Sequence, residues 1–106
     1  MNPDTAMEII HAYTWKKNLT EDEAAVFEEA LRYMLETDYG SETVWAYNLA
    51  FHYQRTGYYG QAVKYYTFCI RHGLDMAYMG LGDAYALMDE TELACQAYDK
   101  AKEAGY

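Results

Sequence analysis

Five side chains are of a kind that ligates metal or attacks an electrophile: His11, His52, His72, Cys69 and Cys95. Cys69 and His72 stand three residues apart, which on a helix makes half of a zinc site. No second pair has metal-like spacing. Cys69 also occupies a position where Ala101 recurs later in the chain, so it reads as a small buried hydrophobe. His52 lies among packing residues and is expected to be a satisfied polar neighbour. Phosphate-cradling, nucleophile-elbow and dinucleotide fingerprints are all lacking. Carboxylates are abundant, but no pair is singled out by position for acid–base work. The expectation is a non-enzymatic chain with no catalytic residue, no metal and no cofactor.

A second set of residues suits recognition. Tyr47, Asn48, Phe51, Gln54 and Arg55 share one side of a predicted helix, opposite Leu49, Ala50 and Tyr53. Met79, Asp83 and Leu87, with Ala86, hold the equivalent side of a later helix. Aromatic and Met side chains offer large, adaptable contact area. Asn48 is suited to gripping peptide backbone and Arg55 a carboxylate. Tyr47 and Phe51 have two readings, as groove or as core against the first helices. Charged Arg55 and Asp83 favour the groove, because charges are seldom fully buried.

The elements that must position these residues are helices throughout. No period-2 alternation marks a strand. Pro3 precedes Asp4 and Thr5, which can cap a first helix ending near Lys16 and Lys17. Thr20 with Glu23 is a capping-box pattern opening a second helix, to about Thr37. Ser41 opens a third, which Gly57 ends. The fourth runs from about Tyr59 to His72, before Gly73. Asp75 is expected to cap the fifth, ending near Met88, and Asp89 or Thr91 the sixth, stopping at Gly105. Short turns between them imply six antiparallel helices in hairpins, an all-α chain.

The helices repeat. At an offset of 32 residues Ala46 aligns with Tyr78, Leu49 with Leu81, Ala50 with Gly82 and Tyr53 with Tyr85. The register continues through Ala62 and Ala94, Tyr66 and Tyr98, Cys69 and Ala101, and Gly73 and Gly105. Large, small and aromatic classes keep their places, so each small residue can admit the partner helix closely.

These residues resemble the tetratricopeptide family. Tyr78-x-x-Leu81-Gly82-x-x-Tyr85 followed by Ala94-x-x-x-Tyr98-x-x-Ala101 is similar to that pattern, with Tyr in place of Trp. Residues 46–73 resemble it too, with Gly57 and Tyr59 in the hairpin turn. The period is shorter than the usual ~34, and the Pro near the repeat end is missing. Trp45 stands one residue before the aromatic position, and the first hairpin matches only through Phe27-x-x-Ala30. The resemblance implies one domain, 1–106, of three stacked hairpins in a right-handed solenoid. Residues 4–37 would be a divergent hairpin or N-terminal cap, and 42–73 and 75–105 would be repeats. It further implies a concave groove that binds a protein or peptide segment. Leu49-Ala50-Phe51 with Gly57-x-Tyr59 and Gly80-Leu81-Gly82 also resembles the translocator chaperones of bacterial type III secretion. That implies, as an alternative, a chaperone for an apolar client segment. A structural homo-oligomerisation module without ligand is the other alternative.

Charge and composition narrow the partner. The formal net charge is −9 over 106 residues, which argues against nucleic acid and against an anionic membrane surface. No apolar stretch approaches the ~18 residues of a membrane span, and Met1-Asn2-Pro3-Asp4 is unlike a signal peptide. Two cysteines read as reduced thiols, so a cytoplasmic setting is expected. Residues 41–73 carry 1 acidic and 3 basic groups, between flanks of 9 against 3 and 7 against 2. That pattern suggests an acidic or C-terminal peptide segment seated centrally. The last hairpin is expected to have an uncovered apolar face, which a homodimer would bury.

Overall fold

The computed structural model describes residues 1–106. Six helices and no strand make up the chain: α1 Pro3–Tyr13, α2 Glu21–Thr37, α3 Glu42–Thr56, α4 Tyr59–Arg71, α5 Ala77–Leu87 and α6 Thr91–Glu103. None is long and apolar enough to cross a membrane. Each helix packs on the next in chain order, and α3 also touches α5. The molecule measures 40 × 30 × 19 Å.

Local chemistry sets most of the boundaries. Thr20 and Glu23 form the reciprocal capping box at the start of α2, with bonds of 3.1 and 2.9 Å. Gly57 closes α3 with φ of 92°, a left-handed conformation that glycine adopts without steric cost. Three ends differ from expectation. Asn2, not Asp4 or Thr5, caps α1, accepting from the Thr5 N–H at 2.9 Å. The same helix stops at Tyr13, before Lys16 and Lys17. Its terminal carbonyls are met by Arg55 instead, which outweighs the few tenths of a kcal/mol that exposed cations gain from a dipole. Finally, α5 starts at Ala77, because Asp75 and Met76 form a turn bonded Ala77 N–H to Leu74 carbonyl.

The core runs through all six helices. Leu31, Leu49, Tyr66 and Cys69 are its largest fully buried side chains. Tyr53 stacks on Tyr65 with centroids 5.8 Å apart, and Phe27 meets the His52 ring edge-on at 5.2 Å. Gly82 acts as the offset predicts, and Gly80, outside the offset pairs, acts in the same way. A Cβ on Gly82 would lie 2.5 Å from the Tyr98 ring, and one on Gly80 would lie 2.4 Å from the Tyr66 ring. Glycine therefore sets the approach of α5 both to α6 and to α4. The exposed positions of α6 include Glu92, Gln96, Asp99, Lys100 and Glu103. On α6 and the residues after it the exposed large apolar side chains are Leu93 and Tyr106, while Met76, Met79, Leu87 and Met88 are exposed on and beside α5.

Candidate functional site

Two regions hold the residues of interest. The first is the α3–α5 face. Val44, Phe51, Met79 and Leu87 are about half exposed there. Helical spacing puts Val44 and Phe51 on one stripe of α3, and Met79 and Leu87 on one stripe of α5. Tyr47 is half-buried, its ring edge-on to Tyr66 at 5.7 Å. Gln54 accepts the Tyr66 hydroxyl at 2.7 Å, and Asp83 accepts the Tyr98 hydroxyl at 2.6 Å. The Asp83 bond, with some burial, pushes the Tyr98 phenol up to about 12. The Tyr47 phenol is also raised, chiefly by burial and then by the nearby Cys69 thiol and Asp83 carboxylate. Asn48 donates to the Val44 carbonyl at 2.8 Å, so one of its donors is already engaged.

Arg55 does not join this face as an open clamp. Its guanidinium donates to the carbonyls of Tyr13, Thr14 and Lys16 at 3.3, 3.4 and 3.1 Å. It also lies over the Phe27 and Phe51 rings, 5.4 and 6.0 Å from their centroids. Burial lowers its pKa. No close backbone approach joins α1 and α3, and Arg55 bridges from one to the end of the other.

The second region is a cleft of about 890 Å³ beside that tie, between the α1–α2 loop, α2 and the end of α3. Its wall is a hydrogen-bonded network that sequence reasoning missed. Tyr53 donates to Glu28, and Arg32 donates to Glu28 at 3.2 Å and to the Tyr65 hydroxyl at 3.3 Å, with a further bond to the Tyr53 hydroxyl. Burial and the Glu28 bond push the Tyr53 phenol up to about 12. Partial burial works to raise the Glu28 carboxyl, but the Tyr53 and Arg32 bonds prevail and lower it. The one readable signal was the i, i+4 pair of Glu28 and Arg32. Tyr53 carried no such signal, because its ring belongs to the repeat pattern.

His52 borders the same cleft and is 2% exposed. Contrary to expectation, its Nδ1 has no hydrogen-bond partner. Burial, then the Arg55 charge, lowers its pKa. It forms no hydrogen bond with a hydroxyl or thiol that it could activate as a base. Cys69 and His72 do not converge: the thiol is fully buried and donates to the Thr43 carbonyl at 3.5 Å, while exposed His72 packs on Phe68 at 4.2 Å. Burial pushes that thiol up to about 11, which keeps it protonated. No three His, Cys, Asp or Glu side chains gather in a metal-binding group. Comparison of the chain with models of known families, with curated proteins and with solved structures found no match.

Proposed function

We propose that the chain is a tetratricopeptide-like module, three hairpins stacked in a right-handed solenoid, which binds a segment of a partner protein along α3 and α5. It works by packing and not by chemistry. The 32-residue pairs support the architecture. Leu49 and Leu81 are both buried, as are Ala62 and Ala94, and Cys69 and Ala101. Gly57 and Asp89 both take positive φ, as do Gly73 and Gly105. Contact of α3 with α5, across the intervening α4, fits first helices lining one face.

The observation that carries the binding reading is the stripe of Phe51, Met79 and Leu87, large apolar side chains left about half exposed on two touching helices. Large apolar side chains left exposed on neighbouring helices suit a contact site. Two free cysteines, Cys69 and Cys95, fit a reducing cytoplasm. The test is a capture experiment carried to a defined complex. A partner retained by wild type is identified, its binding segment is synthesised, and affinity is measured by calorimetry. A Phe51→Ser, Met79→Ser double variant, shown by circular dichroism to keep its helices, should lose at least about tenfold in affinity, in the range of interface hot spots. Equal binding by the variant would refute the reading.

A further inference from the structure

We infer that the segment held on α3 and α5 is basic at its centre, with a Lys or Arg seated on Asp83 between apolar anchors on Met79 and Leu87. The inference rests on the binding reading above and specifies its partner. It reverses the acidic or C-terminal segment that the basic middle repeat and Arg55 suggested. Arg55 was the group meant to grip a carboxylate, and its guanidinium is engaged with three backbone carbonyls of α1 and the loop after it. No other Lys or Arg stands on α3, and none on α5. The second charge on α3, Glu42, turns its carboxylate to the Gly40 N–H at 3.0 and 3.1 Å. The charge left on the face is Asp83.

Asp83 is poised for a cation. It is exposed, and no basic side chain pairs with it: the ion pairs of the molecule are Lys16–Glu23, Arg32–Glu28 and Lys100–Glu103. A carboxylate offers about four acceptor sites, and the Tyr98 hydroxyl fills one. The phenol of Tyr66 is turned away to Gln54. Met79, Asp83 and Leu87 follow one another at four-residue steps, about 6 Å each along a helix. An occupant that matches them places its apolar, basic and apolar residues at the same interval. A helical segment does so at every fourth residue, and an extended one at every second, where two residues span about 6.6 Å.

A random peptide library displayed on phage tests this. It is selected on immobilised wild-type protein and counter-selected on the Phe51→Ser, Met79→Ser variant. Enriched sequences should carry Lys or Arg between apolar residues at one of those two spacings. Their synthetic peptides should bind Asp83→Asn roughly five- to tenfold more weakly, and more weakly as salt is raised. Asn keeps the acceptor for Tyr98, so the loss reports charge. Selection on Asp83→Lys should shift enrichment to acidic sequences. Acidic or uncharged sequences from wild type, or full affinity for Asp83→Asn, would overturn the inference while leaving the apolar face as a binding site. Failure to enrich any sequence that discriminates wild type from the counter-selection variant would remove the binding reading itself.

Discussion

The α3–α4 pair meets the helices on either side of it in different ways. Toward α5 the contact is steric: Tyr66 of α4 lies against Gly80, where no Cβ fits, and Ala77 and Ala84 are fully buried nearby on the same helix. Toward α2 and the loop before it, packing such as Phe27 against His52 is joined by polar contacts: Tyr53, Glu28 and Arg32 are hydrogen-bonded to one another, Arg55 holds the end of α1, and a cleft remains open beside buried His52. The sequence repeat extends over the first of these junctions and fades at the second. Where repeat residues face each other, size matching closes the interface. Where they face α2 and the loop before it, polar groups border a cleft that side-chain volume does not fill. The steric side should respond to volume changes, and the polar side to charge and pH.

The largest effect expected is on the polar side. Arg55→Ala should destabilise the fold by about 2 kcal/mol, since hydrogen bonds from a charged group contribute about that much. Hydrogen exchange should show α1 losing protection before α5 does. Uniform loss across all helices would mean that Arg55 is not a local tie.

Gly80→Ala tests the steric side by its sign. Helix propensity alone favours Ala by about 1 kcal/mol. The new Cβ meets the Tyr66 ring, which Tyr47 and the Gln54 bond hold in place. Overpacking typically costs ~1–3 kcal/mol, so a net loss of up to about 2 kcal/mol should appear in urea denaturation. A gain in stability would show that α4 and α5 can slide apart without penalty.

The smallest effect should be a pH dependence confined to the polar side. The folded pKa of His52 lies below its ordinary 6.5, because burial and then Arg55 oppose its charge. Between those two values the unfolded chain holds a proton that the folded chain lacks. Stability contributed by neutral His52 is therefore complete above about pH 6.5 and declines as pH falls below it. His52→Gln should flatten the decline in denaturation midpoint between neutral and mildly acidic pH, well before Glu28 protonates. An unchanged slope would show that His52 is not the group titrating.

How much was legible follows from the range of each interaction. Thr20 and Glu23, and Gly57, act within one turn of helix, and their roles could be read directly; Glu28 and Arg32, also within one turn, were not singled out. The stripe of Phe51, Met79 and Leu87 follows from periodicity, and the structure leaves those side chains half exposed. Arg55 was read as a groove residue because its acceptors lie 39 to 42 residues away, and they are backbone carbonyls with no side-chain signature. Asp83 was expected on the same side of its helix as Met79 and Leu87, but its isolation from every Lys and Arg could not be known until the cations were located.

The order of side-chain sizes along the chain determined by itself that six helices form and which faces they bury, because those are matters of local capping and helical period. Only the tertiary structure decided which charges are neutralised. A charge is satisfied by whatever donor or acceptor packing brings within about 3 Å, and that distance bears no relation to separation along the chain.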